Sequence, residues 1–179
     1  MSSSPSACLC LVGCGGIGAR HVTSVADAGD AVRYTTVYDG DPERAAALLA
    51  RTGLEARALP SWEAVLNDPE IDGVDLCLPN SLHADRAVEA LAAGKHVLTE
   101  KPMALSLADC DRMIAAAEQA GRLLTVIHNR RFDTAARAMK DLIDSGDLGD
   151  PFLGETHGIE GPNTVGRGRW LSDRAEGGI

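Results

Sequence analysis

Large aromatic side chains are nearly missing. Two Trp, two Tyr and two Phe make up 3% of the 179 residues, so a core must be built from Ala, Val, Leu and Ile. Positive charge is also in deficit: 17 Lys and Arg stand against 26 Asp and Glu, a formal net charge of −9. A general nucleic-acid binder needs a basic face to displace counterions, and the balance argues against that class while leaving room for a local cationic pocket. No apolar run reaches the length of a membrane span. Met1–Pro5 lack the basic start of a secretion signal, and residues 1–6 are expected to be a disordered N-terminus. The five cysteines, Cys8, Cys10, Cys14, Cys77 and Cys110, have no zinc-ligand spacing. No metal is expected, and the thiols read as small buried hydrophobes in a reducing cytoplasm.

What is present is ordinary for a globular chain: 45% hydrophobic and 24% charged residues. The length suits one domain, or one domain and part of another. The run "ACLCLV" at residues 7–12 is a short apolar strand covered on both faces. Residues 16–28 read as a helix, with Ile17, His21, Val25 and Ala28 at spacings of three and four. "VRYTTVYD" is a strand. "DPERAAALLARTG" is a helix with Asp41 as N-cap, Pro42 at the first position and Gly53 as stop. "SWEAVLNDP" is a short helix started by Ser61, and "GVDLCLP" a strand ended by Pro79. Further on come the helix "SLHADRAVEALAAG", the strand "KHVLTE", a helix capped by Ser106, the strand "RLLTVIH" and the helix "TAARAMKDLIDSG". Such alternation implies an α/β fold with a doubly wound parallel sheet and helices on both faces. From about Gly146 the texture turns Gly- and Pro-rich, with one alternating stretch, "FLGETHGI".

Gly13-x-Gly15-x-x-Gly18 follows the first strand and opens the first helix. By spacing alone it could be only a tight strand-to-helix turn. In this context it has the placement of a Rossmann dinucleotide loop. Gly13 serves the turn, Gly15 the approach of a pyrophosphate and Gly18 the packing of helix on strand. The helix N-terminus offers free N–H groups to phosphate. Asp39 ends the second strand and is placed to accept from ribose hydroxyls. With Asp41 and Glu43 nearby and only Arg44 to offset them, NAD is expected in preference to NADP. Glu100, Lys101 and Pro102 end a later strand and fall on the same sheet edge. There Lys101 can exchange a proton beside a nicotinamide, especially if burial lowers its pKa, or Glu100 can pair with it and keep it charged.

Taken together, the glycine loop with Arg20-His21, then "CLPNSLHADRAVEALAAGKHVLTEKPMALS", then "HNRRFD", closely resemble the Gfo/Idh/MocA family. These oxidoreductases are named after glucose–fructose oxidoreductase and inositol dehydrogenase. The resemblance implies a cofactor domain over 7–150 and hydride transfer between a nicotinamide and a sugar, polyol or related hydroxyl or carbonyl substrate. It implies that Lys101 is catalytic and near both cofactor and substrate. Gly13, Gly15, Gly16, Ile17, Gly18, Asp39, Pro79, Asn80, His83, Glu100, Lys101, Pro102 and Asn129 would line the cofactor, and Arg130 would reach the substrate. Read without the resemblance, Asn80 is a helix-cap candidate, His83 a first-turn residue, and Arg130 a partner for Asp133. Family members are usually homo-oligomeric through a second, α+β domain. Only its start, at 151–179, is expected here, with "FLGETHG" as its first strand. The family's later aspartate and histidine have no counterpart, and His157 lies too early. A nucleotide-binding or regulatory module without turnover, and a scaffold that uses the fold without cofactor, are the competing functions.

Overall fold

The structure is a computed structural model that describes residues 6–26, 29–155, 157 and 176. Six parallel strands form one sheet in the order β3-β2-β1-β4-β5-β6. They are β1 (Ala7–Val12), β2 (Val32–Tyr38), β3 (Arg57–Ala58), β4 (Gly73–Leu76), β5 (His96–Thr99) and β6 (Leu124–Val126). The helices are α1 (Gly16–Ala26), α2 (Pro42–Thr52), α3 (Trp62–Asn67), α4 (His83–Ala92) and α5 (Leu107–Ala120) between strands, and α6 (Thr134–Asp144) after β6.

The pleat of β1 explains the two layers. Successive side chains leave a strand on opposite faces. Cys10 and Val12 join Val74, Leu76 and Val97 under α3, α4 and α5. Leu11 joins Tyr34 and Val37 under α1 and α2. Cys10, Leu11 and Val12 are all buried, as a strand covered on both faces requires. With so few rings, α4 and α5 reach the sheet through Ala84, Ala87, Leu91, Met113 and Ala117.

The helix ends follow local chemistry. Asp41 Oδ1 accepts from the Glu43 amide at 3.0 Å, and Gly53 closes α2 with φ 67°. Ser61 and Ser106 accept from the amides of Ala64 and Asp109 at 3.2 and 3.1 Å. These caps satisfy amides that the first helical turn leaves open.

Some expected boundaries differ. β3 was not legible: two edge residues pairing with Thr36 and Val37 are too short to carry a period. α1 is described to Ala26, and residues 27–28 lie outside the described residues. A 3₁₀ turn, Asn80–Leu82, precedes α4. Of the expected strand "FLGETHG", the described residues 152–155 and 157 carry no regular structure. Most of the expected second-domain segment, and Met1–Pro5, lie outside the described residues. Among the described residues no helix is long and apolar enough to cross a membrane.

Candidate functional site

The strand order reverses at β1, whose neighbours are β2 and β4. Ligands of open α/β sheets bind beyond the carboxyl ends of strands at such a switch point. The segments singled out in the sequence all leave the sheet at this edge. Gly13–Gly18 follow β1, Asp39 follows β2, Pro79 and Asn80 follow β4, Glu100–Pro102 follow β5, and Asn129 follows β6.

The glycine loop is tightly constrained at Gly13 and Gly18 and open at Gly15 and Gly16 between them. Gly13 has φ +98°, and a β-carbon on it would overlap the Cys77 carbonyl beyond β4. A β-carbon on Gly18 would overlap the Gly13 carbonyl, so helix and loop touch backbone to backbone. Around Gly15 there is nothing within 4 Å of a built β-carbon. The loop is tied to the end of β2 as well. The Gly13 amide donates to the Tyr38 carbonyl at 2.8 Å, and the Cys14 amide to Asp39 Oδ2 at 2.8 Å. Asp39 Oδ1 accepts from the Asp41 amide at 2.9 Å. Asp39 therefore shapes the loop, and each oxygen keeps a lone pair for a further donor.

Lys101 is exposed. Glu100 does not spend itself on the Lys101 side chain. Glu100 Oε2 accepts from the Lys101 amide at 3.0 Å, and Oε1 lies 3.2 Å from His21 Nε2. The His21 hydrogen bond leads in holding the Glu100 carboxyl below its usual range.

His83 opens α4, the first-turn position that its sequence context implied. It is fully buried, with Nδ1 2.8 Å from the Pro102 carbonyl and Nε2 3.0 Å from the Leu78 carbonyl. It clamps the turn after β4 to the turn after β5 and presents no ring atom to a ligand. Asn80 is also buried, and its carbonyl accepts from the His83 amide. Asn129 is exposed, and its Oδ1 accepts from the Arg130 amide at 3.0 Å. Arg130 Nη1 lies 3.6 Å from Asp133, the local pairing that the sequence allowed.

One cluster escaped the sequence. His21 Nδ1 lies 2.8 Å from Asp75 Oδ2, and Tyr34 donates its hydroxyl proton to the same oxygen. Cys77 Sγ is 3.1 Å from His21 Nδ1. Burial opposes charge on His21, but the hydrogen bonds to Asp75, Cys77 and Glu100 outweigh it and raise the ring's pKa to about 12. Burial pushes the Cys77 thiol up to about 12. The His21, Asp75 and Cys77 donor atoms lie within 4.8 Å of one another, as compact as a metal-ligand trio. These atoms already partner one another, His21 Nδ1 facing both Asp75 and Cys77, and we assign no metal to the cluster. The network borders a cavity of about 670 Å³ that also reaches Ile17, Arg20 and Asn129. Two signals could have exposed it: a charged residue inside the apolar strand "GVDLCL", and a histidine at a core-facing helix position.

The sequence matches the Gfo/Idh/MocA oxidoreductases, a family with an NAD-binding Rossmann fold, over residues 9–128. It is 36% identical over 144 residues to an inositol 2-dehydrogenase of Salmonella typhimurium, covering 80% of this chain and 43% of that protein. Among solved structures it resembles the WlbA dehydrogenase of Bordetella pertussis in complex with NADH and UDP-GlcNAcA. That likeness has a TM-score of 0.76 and 34% identity, over 83% of this chain and 42% of that one. It also resembles a levoglucosan dehydrogenase complexed with NADH and levoglucosan, with a TM-score of 0.75 and 29% identity, over 80% and 40% of the two chains. The chain thus spans about two fifths of the length of the relatives it matches.

Proposed function

Because the chain belongs to the Gfo/Idh/MocA oxidoreductase family, we propose that it holds NAD(H) along the carboxyl edge of its sheet and serves hydride transfer to or from a sugar, polyol or related hydroxyl compound. The observation that carries this is the open space at Gly15 between two closed glycine contacts, with Asp39 alongside. A pyrophosphate fits where no side chain stands, and the α1 N-terminus supplies donors and partial positive charge. Gly13, Gly15, Gly16, Ile17 and Gly18 would cradle it. Pro79, Asn80, Glu100, Lys101, Pro102 and Asn129 would line the remainder, with His83 holding two of these turns together.

Asp39 favours NAD over NADP, because a 2′-phosphate would meet its carboxylate and those of Asp41 and Glu43. Bound there, the nicotinamide supplies the hydride acceptor or donor. The chain's own share is acid–base and positional. Lys101 Nζ takes the proton of the substrate hydroxyl in oxidation, or gives one to the carbonyl oxygen in reduction, and Arg130 orients the substrate. Glu100 fixes the turn from which Lys101 projects.

On this reading residues 7–150 form the cofactor unit and 151–179 begin the substrate and assembly domain. On the same reading the protein works in the cytoplasm, which suits its free cysteines, and its family usually assembles as homo-oligomers through that second domain. Calorimetric titration with NADH and NADPH tests the proposal: NADH should bind more tightly, and equal or stronger NADPH binding would reverse the cofactor assignment.

A further inference from the structure

Four side chains from four segments form an unbroken hydrogen-bonded line that ends at Lys101. Tyr34 of β2 donates to Asp75 of β4. His21 of α1 stands 2.8 Å from that Asp75 oxygen and 3.2 Å from Glu100 Oε1. The second Glu100 oxygen takes the Lys101 amide at 3.0 Å. The side chains of His21, Asp75 and Glu100 are only 14%, 0% and 18% exposed, so these contacts are poorly screened by water.

We propose that His21 is a positioning residue: its ring, held between the Asp75 and Glu100 carboxylates, tethers the Glu100–Pro102 turn to α1 and so sets Lys101 against the glycine loop where that helix begins. The proposal rests on the role of Lys101 given above and adds the residue through which that role is fixed.

A neutral ring donates to one carboxylate and turns a lone pair to the other. A ring carrying both protons donates to both and neutralises part of their charge. The tether joins elements far apart in sequence, because His21 and Glu100 are 79 positions apart. It also uses a rigid lever. α1 starts at Gly16 with the phosphate-facing amides, and His21 stands little more than one turn further on. Whatever draws the start of α1 toward a ligand therefore draws the Lys101 turn with it. A histidine that only satisfied Asp75 would need no second carboxylate, and its loss would loosen the sheet as a whole rather than one turn.

The test is residue-resolved amide hydrogen exchange by NMR on the 179-residue chain, for His21→Ala, Glu100→Ala and the double variant. In His21→Ala the Lys101 amide should exchange faster by about tenfold or more, while core amides such as Leu11 and Leu76 change far less. The double variant should exchange no faster than Glu100→Ala, because the two residues act in series. Both His21 ring nitrogens should show the ¹⁵N shifts of protonated sites at neutral pH. An unmoved Lys101 amide, a uniform rise across the sheet, additive effects or a neutral ring would each overturn the tether. If His21→Ala does not fold, the double variant His21→Gln with Asp75→Asn removes both charges at similar volume and takes its place. The amide reports the tether without any ligand. Failure of the unsubstituted chain to bind NADH would therefore overturn the cofactor role and leave the tether standing.

Discussion

The Cys14 amide donates to Asp39 Oδ2 at 2.8 Å, so the carboxylate at the end of β2 holds the glycine loop. Its other oxygen is taken by the Asp41 amide. Asp39→Ala should accordingly do two things. It removes the expected ribose acceptor and the repulsion of a 2′-phosphate, narrowing the gap between NADH and NADPH. It also frees two backbone donors and loosens the loop, weakening both cofactors. A loss for NADH of about 10- to 100-fold is expected for a charged acceptor, and less for NADPH. Parallel calorimetric titrations check this, and an unchanged NADH affinity would remove Asp39 from the site.

Gly15 and Gly18 should respond in opposite ways. Gly15→Val places its side chain where nothing now stands, so the melting temperature should hold while NADH binding is lost. Gly18→Ala drives a methyl into the Gly13 carbonyl, and the backbone must shift. That variant should lose about 1–3 kcal/mol of stability. Circular dichroism melts beside NADH titrations separate the two. Unfolding of Gly15→Val would make the open position structural.

The elements that depended on neighbours in sequence were legible. Asp41, Ser61 and Ser106 cap their helices through amides two or three residues away, and Gly53 stops α2 in a left-handed conformation. The glycine loop was legible for the same reason, since its strand and helix flank it directly. His83 was not. Its sequence position shows a helix start, whereas its two carbonyl partners belong to turns that only the parallel packing of β4 beside β5 brings together. Nor was the pairing of Glu100 with His21 visible, because the adjacent lysine looked the nearer partner. His21 itself fitted the apolar spacing of α1 well enough to pass as a packing position.

The same network should make stability depend on pH on the alkaline side. The pKa of His21 is raised from 6.5 to about 12 in the fold. Its contribution is therefore complete below about 6.5 and is lost as pH climbs toward the folded value. Glu100 is shifted down from 4.5, so its contribution is present above that value and fades below it. Cys10, Cys14 and Cys77 are raised from 9.0 to about 12, and their losses begin only above 9.0. Between pH 6.5 and 9.0 the decline should therefore belong chiefly to His21, which faces Asp75, Glu100 and Cys77. It can reach at most about 1.4 kcal/mol per pH unit. Urea unfolding across that range should show stability falling in the native chain and nearly level in His21→Gln. A slope that survives the substitution would point to another group.

Lys101 stands exposed. Acid–base catalysis by an amine requires the substrate to be held within hydrogen-bond reach and water to be kept away. Lost positioning alone can remove about 7–11 kcal/mol of barrier lowering. The 179-residue chain by itself is therefore expected to bind NADH and show no appreciable turnover over a panel of polyols and aldoses, followed by the absorbance of reduced nicotinamide. Joined to a second domain from one of its longer relatives, it should gain activity. In that form Lys101→Ala should lower kcat by about 10²- to 10⁴-fold, the usual contribution of a positioned acid–base group. NADH affinity should fall far less than kcat, because the glycine loop and Asp39 are untouched and Lys101 is one of several residues that line the cofactor. Robust turnover by the short chain would mean that Asn129, Arg130 or a second copy completes the site. Full activity of the joined Lys101→Ala form would take Lys101 out of the proton transfer altogether.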